Sequence, residues 1–385
     1  MKVAIVTRFP LDPGKPRGGV EAGSVNLAES LARFDDLDIN VVTTSPESRS
    51  MSISRWGKVT VHRLPWVPSR TLVHAIGPGR RQMQKYLLNL KPDLIHAHDT
   101  FGLMVKGMSI PRVFTIHGFI YADTLVSGTR FAWLRSKLWK WIETTGWADQ
   151  PHIISISPYV RERLKGIVKG VIHDIDNPIT ESFFHINREE QNGTIFSAAW
   201  ISPRKNTLTL VEAFAKLIAN GIDVKLRLAG EFGNKTYGQK VLDKIKSYGL
   251  KDRIFILGRI DSKQIRQELS AASVFVLVSL EENSPTSIEE AMAAGVPVVA
   301  SNRCGMPYMV RDGESGFLVD PCNPDEIAER ISELLQNGSL RIRMGEKGRQ
   351  IAKDRFHPSV VARRTREVYL RAVHDHERGK RQKSR

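Results

Sequence analysis

Two glutamates concentrate the polar chemistry of this chain. Glu282 and Glu290 are separated by seven residues, among them Ser284, Pro285, Thr286 and Ser287. Ser284 has the side chain of an N-cap, and Pro285 suits the first position of a helix. The amides of Thr286, Ser287 and Ile288 then lack intrahelical acceptors, and with the helix dipole they form a seat for an anion. A carboxylate beside such a seat does not bind the anion; it is suited to accept hydrogen bonds from hydroxyls. A phosphate seat flanked by hydroxyl acceptors is what a nucleotide-sugar needs. The bland alternative is an ordinary capped helix with a solvated face.

The elements that must position these groups can be read around them. Residues 274–278 form an apolar run that reads as a buried strand, and residues 296–300 form another. A short helix of small and apolar residues lies between and ends at Gly295. A second polar pair, Arg204 and Lys205, occupies the loop between a strand at 195–200 and an amphipathic helix at 208–220. In the first half of the chain, an apolar strand at 112–116 delivers His117-Gly118 at its carboxyl edge, where ligands bind in open α/β sheets. A strand at 93–98 ends in His98-Asp99. His96 reads as a structural histidine, and His98 is open between structural and functional roles. The opening strand at 2–7 is followed by a Pro/Gly-rich loop with Gly18-Gly19, then a helix at 21–32. The glycines permit either a close backbone approach or a turn with positive φ.

Glu282, seven residues, Glu290 and then Ala-Met-Ala-Ala-Gly-Val-Pro-Val-Val resembles the signature of retaining glycosyltransferases of family 4 (the group 1 glycosyltransferases), which have the GT-B fold. The resemblance covers nearly the whole chain except 65–78 and the C-terminal tail. It implies that Gly19 lies near the donor phosphate and that His117 lies against the donor sugar. Lys205 matches the lysine that holds the diphosphate. The family's partner arginine falls on Ala199 or Trp200, so it is missing, and Arg204 is the candidate to replace it. Glu290 would hold ribose hydroxyls and Glu282 those of the donor sugar, with Ser284, Pro285, Thr286 and Ser287 lining the seat. His117, Glu282 and Lys205 are thus the expected catalytic residues. The family's Gly-Gly-x-Pro-Glu loop is altered here, with Cys304 and Tyr308 in place of the first Gly and the Glu.

Composition sets further bounds. The chain has 385 residues, 41% of them hydrophobic, and a net charge of +16. The charge admits nucleic acid, an anionic membrane surface or small anionic substrates as partners. No helix-turn-helix, zinc-finger or aromatic RNA-binding pattern is evident, so nucleic acid is not expected. Residues 131–147 hold four tryptophans among Arg135, Lys137 and Lys140. They read either as an interfacial membrane helix or as a helix burying its tryptophans. The last ten residues carry five Lys/Arg against one Glu and read as a disordered basic tail. No apolar run is long enough to span a bilayer, and the start reads as a strand rather than a signal peptide. The two cysteines, Cys304 and Cys322, lack metal spacing and favour a reducing compartment. A cytoplasmic protein, with peripheral attachment to the inner face of the membrane as a candidate, is expected.

The expected architecture is α/β of the GT-B type, with two Rossmann-like doubly wound domains facing across a cleft. Residues 1–179 form the first domain, 180–193 a linker and 194–358 the nucleotide-sugar domain. A helix at 359–373 crosses back to the first domain, and 374–385 is the tail. The resemblance implies transfer of a sugar, a hexose, from a UDP- or GDP-sugar donor to a glycan or lipid-linked acceptor with retention. Polysaccharide or glycolipid biosynthesis is the setting. No Asp-x-Asp motif lies at a strand end, so no metal and no further cofactor is expected. The alternatives are a nucleotide-sugar epimerase, a phosphorylase, or a binding protein with a degenerate site.

Overall fold

The computed structural model describes residues 1–68, 71–126 and 130–383. The chain forms two compact α/β units. The first takes Met1–Ile120, Lys137–Pro178 and the chain from Pro358 onward; the second takes Tyr121–Ser136 and Ile179–His357.

The first unit is built on one sheet of eight strands among the described residues: β1 (Lys2–Val6), β2 (Asp38–Thr44), β3 (Ser52–Trp56), β4 (Val59–Leu64), β5 (Leu94–His98), β6 (Arg112–Ile116), β7 (His152–Ser155) and β8 (Val171–Asp174). Their order is β3-β4-β2-β1-β5-β6-β7-β8. All neighbours are parallel except β3 and β4. Val3, Ala4, Ile5 and Val6 are all buried, the pattern of a parallel strand covered on both faces. Strand β3 has no counterpart in the sequence reading. It is an exposed antiparallel edge, and Ser-Ile-Ser-Arg-Trp carries little apolar signal.

The second unit has six parallel strands: β9 (Thr194–Ala198), β10 (Lys225–Ala229), β11 (Ile254–Gly258), β12 (Val274–Leu277), β13 (Val298–Ser301) and β14 (Gly316–Val319). Their order is β11-β10-β9-β12-β13-β14. The chain moves outward from β9 to β11, returns to β12 beside β9, and moves outward the other way. The loops leaving β9 and β12 therefore diverge and open a crevice at the carboxyl edge, the usual ligand position in such sheets. Arg204 and Lys205 follow β9; Glu282 and the 284–287 turn follow β12. In the first unit the order reverses between β1 and β5. Gly19 follows β1, His98 ends β5, and His117 lies just beyond β6.

Three sequence expectations change. The stretch 180–193 is not a free polar linker. Glu181–His185 forms a 3-10 turn whose Phe183 and Phe184 are buried in the second unit's core, so two adjacent aromatics override the polar composition around them. Residues 121–136 cluster with the second unit rather than the first. The closing helix spans Pro358–Lys383 and runs well past Val373. Its Val361, Ala362, Val368, Tyr369 and Ala372 belong to the first unit's core. Residues 374–383, expected as a disordered tail, continue this helix, because the packed turns template them and Lys, Arg, Glu and Gln are good helix formers. Ser384 and Arg385 lie outside the described residues.

The turn after β12 is backed by Gly305. Its N–H donates to the Glu282 carbonyl at 2.8 Å. A Cβ on Gly305 would stand 1.8 Å from the Asn283 carbonyl oxygen. Gly305→Ala is predicted to lower stability by about 2 kcal/mol, the scale of forced overpacking. An unchanged thermal unfolding midpoint would show that the turn yields without cost.

Candidate active site

The second unit's site rests on backbone stitching between two loops. The apolar β12 is buried along its length and releases the chain at Val278. The Leu280 N–H then donates to the Arg204 carbonyl at 2.8 Å, tying the turn after β12 to the loop after β9. Asn206 holds that loop from below. It sits in the left-handed region at φ 57°, which Asn tolerates better than most residues. Its Nδ2 donates to the carbonyls of Val278 (3.2 Å) and Pro321 (2.6 Å). The sequence reading missed Asn206; an Asn just before an amphipathic helix reads as a plain cap.

This stitching brings Arg204, Lys205 and Glu282 together. Lys205 Nζ pairs with Glu282 Oε1, and Arg204 Nη1 stands 3.2 Å from the same oxygen. Arg204 also donates to the Glu281 carbonyl at 2.9 Å and lies 3.6 Å from the half-exposed Asp123 carboxylate. The Glu282 side chain is only 8% exposed and that of Lys205 11%. Burial alone would raise the Glu282 carboxyl, but the Lys205 and Arg204 charges outweigh it and hold the group below its ordinary value. Burial lowers Lys205 despite the glutamate beside it. Arg204 is raised: burial opposes its charge, but Glu282 and Asp123 prevail.

The anion seat differs in detail from its sequence reading. Pro285, not Ser284, is the N-cap, and the helix spans Thr286–Ala293. A proline φ of −71° fits a cap as well as a first helical position, so the sequence left this register ambiguous. The Ile288 N–H donates to the Pro285 carbonyl at 3.0 Å. Among the described residues, the Thr286 and Ser287 amides are left without a backbone acceptor, so the seat offers two helical donors rather than three. Ser284 is used as a tie: its hydroxyl donates to Glu289 Oε1 at 2.7 Å. Glu289 is fully buried, a role that sequence reasoning did not give it. Glu290 is partly buried, and burial pushes its carboxyl up to about 8, with Arg266 opposing.

The altered 301–308 loop is held by its own contacts. Cys304 takes φ 58°, a conformation that favours glycine, and its thiol donates to Glu281 Oε2 at 3.1 Å. Tyr308 closes a 3-10 turn with its side chain outside the core and its carbonyl accepting from Arg355 at 2.7 Å.

The first unit carries its own polar cluster. Asp99 accepts from the His117 N–H at 2.8 Å and fixes its backbone. His117 Nε2 meets His98 Nδ1 at 2.8 Å. His98 is buried, and burial lowers it well below the ordinary histidine value, with His96 and His117 adding to the effect, so it is neutral. Its Nε2 has no partner among the described residues. A buried N–H without an acceptor costs more than a spare lone pair. The proton therefore sits on His98 Nδ1 and is donated to His117. His96 is structural, bonded to Tyr369 (2.7 Å) and Thr115 (2.7 Å), and lowered to about 3 by burial and then by His117. Gly19 is the first residue of the helix Gly19–Leu31, and Gly18 is extended at φ 166°, so no left-handed turn requires this pair.

Comparison with known proteins adds the following. Residues 178–351 match the family model for Glycosyl transferases group 1, and residues 17–182 that for Glycosyltransferase Family 4. An uncharacterized glycosyltransferase of Methanocaldococcus jannaschii is 26% identical over 87% of this chain and 90% of its own length. The MMP alpha-(1->4)-mannosyltransferase of Mycolicibacterium hassiacum is 26% identical over 73% of this chain and 71% of its own. Among solved structures, sucrose-phosphate synthase from Thermosynechococcus elongatus aligns with a TM-score of 0.80 at 20% identity, covering 96% of this chain and 98% of that one. Anabaena HepE in complex with UDP-glucose aligns at 0.72 and 18% identity, over 96% of this chain and 99% of its own. These likenesses, with a mainly parallel sheet of eight strands and a parallel sheet of six, make the fold a two-domain GT-B fold.

The buried ion pair yields a stability prediction. Glu282→Gln leaves two cations without their buried counter-charge and is expected to cost about 3 kcal/mol, the scale for breaking a buried pair from one side. Adding Lys205→Met should recover most of that loss in chemical denaturation. A single variant as stable as wild type would mean that the cluster is solvated and contributes little.

Proposed function

Because the chain belongs to the group 1 glycosyltransferases, we propose that it moves a hexosyl group from a nucleotide-sugar to a glycan or lipid-linked acceptor with retention of anomeric configuration. The observation that carries this reading is the convergence of Lys205 and Arg204 on Glu282, four residues before the helix whose first amides form the seat. Bond cleavage in a nucleotide-sugar places growing negative charge on the diphosphate. Lys205, Arg204 and the Thr286 and Ser287 amides are donors already held in place for such charge. Arg204 reaches the same carboxylate oxygen as Lys205, which supports it as the stand-in for the family's missing arginine. Glu282 then accepts hydrogen bonds from hydroxyls of the donor sugar, and Glu290 from those of the ribose. His117, held in the first unit's polar cluster by His98 and Asp99, is that unit's candidate contact for the transferred sugar. UDP is favoured as the nucleotide by the UDP-glucose held by the structurally similar HepE. No metal or further cofactor enters this scheme.

The test is a panel of UDP-, GDP- and ADP-sugars given to the purified protein. Release of nucleoside diphosphate and the anomeric coupling of the product are the readouts. Turnover with one donor and an unchanged anomer is expected. An inverted anomer would overturn retention, and epimerisation without an acceptor would favour the alternative chemistry.

Glu290 gives a pH signature. Its free carboxyl titrates at about 8, and the ionised form is the better acceptor for two hydroxyls. Donor affinity should therefore rise between pH 7 and pH 9, as the carboxyl loses its proton without help from the ligand. Glu290→Gln should flatten that rise and weaken binding at the upper end by roughly 1.5–3 kcal/mol. Calorimetric titration at both pH values reads it; parallel profiles for wild type and variant would remove Glu290 from the ribose site.

A further inference from the structure

The helix Ala132–Trp147 has two unlike faces. Its inner face is covered: Ser136, Ile142, Glu143, Gly146 and Trp147 are buried. Glu143 accepts from the Ile120 N–H at 3.0 Å, and the Ser136 hydroxyl donates to the Tyr121 carbonyl at 2.7 Å. On a soluble helix the opposite face is polar. Here it is not. Leu134, Leu138 and Trp141, at helical spacings of four and three, form an outward ridge with exposures of 54%, 54% and 68%. Trp133 is 58% exposed beside it. Lys137 and Lys140 flank the ridge on the Trp133 side and Arg135 on the other, all exposed. The helix's one acid, Glu143, is on the buried face, so the charges of the outer face are all cationic, and Thr145 is the neutral polar residue in line with the apolar ridge.

We propose that this face docks the protein onto an anionic lipid bilayer. The inference goes beyond the glycosyl-transfer reading and does not depend on it. Trp prefers the headgroup level, Leu enters the acyl boundary, and Lys and Arg reach back to lipid phosphates. A nucleic acid would use the cations but gains nothing from two exposed leucines. Among the described residues no helix is long and apolar enough to cross a membrane, so the attachment is in the interface plane. The net charge of +16 favours an anionic surface at long range.

The experiment is flotation of the full-length protein with vesicles of phosphatidylcholine alone or with phosphatidylglycerol added. Wild type is expected to float with the anionic vesicles and not with the neutral ones, and to detach as salt is raised. Leu138→Ser with Trp141→Ser should lower partitioning by about tenfold or more, since each side chain loses its apolar transfer. Lys137→Glu with Lys140→Glu should lower it as well. Both pairs are exposed, and unchanged unfolding midpoints would verify that they fold. Three results would overturn the proposal: no flotation of wild type, equal flotation of the Leu138/Trp141 variant, or light scattering in which wild type is a dimer and that variant a monomer. Equal flotation would place attachment on other basic surfaces; the dimer would make the ridge a self-interface. A failure here leaves soluble donor turnover untouched, so the two readings fail separately.

Discussion

The carboxylate of Glu282, held between Lys205 and Arg204, is the interaction on which the second unit's site depends. Three charged side chains are brought out of water where two loops diverge from adjacent strands. Such a cluster is tolerable only if each charge finds its counter-charge at close range. The backbone bond from Leu280 to Arg204 and the Asn206 anchors supply that range, and Gly305 leaves room for the turn to pass. The same arrangement keeps two cations ordered without leaving them bare, so the cluster neutralises much of its own charge.

The first unit solves a different problem with the same economy. Its histidines lie in a row at the carboxyl edge, and like charges so close cannot all be protonated. Burial keeps His98 and His96 neutral, which turns them from charges into hydrogen-bond relays. The contact that His98 makes to His117 comes from a residue whose role sequence alone left undecided.

Much of this was legible in the chain. The apolar runs at 274–278 and 296–300 gave the strands, and the glutamate spacing with its small-residue helix gave the family. What could not be read was tertiary. Lys205 and Glu282 are far apart in sequence, and their pairing follows only from β9 lying beside β12. The one-residue shift at Pro285 turns on a φ that suits two positions. Glu289 and Glu290 are adjacent glutamates, and only the helix's rotation decides that Glu289 is fully buried and tied to Ser284. Residues 121–136 carry no local sign of belonging with the second unit. The helical run beyond Val373 was hidden by its charge, which reads as disorder unless the packed turns before it are known.

The closing helix has a consequence for how the chain assembles. Both core clusters of the second unit are drawn from residues 179–356. The first unit's core needs Val361, Ala362, Val368, Tyr369 and Ala372, and its His96 needs the Tyr369 hydroxyl. On a ribosome the N-terminal sheet therefore emerges first and finishes last. It waits, with an apolar face uncovered, while the second unit is made and closes its own core. The usual N-to-C order of domain maturation is reversed. The interval between emergence and closure is the period in which this chain most needs protection from aggregation, and its length is set by the synthesis of nearly the entire second unit.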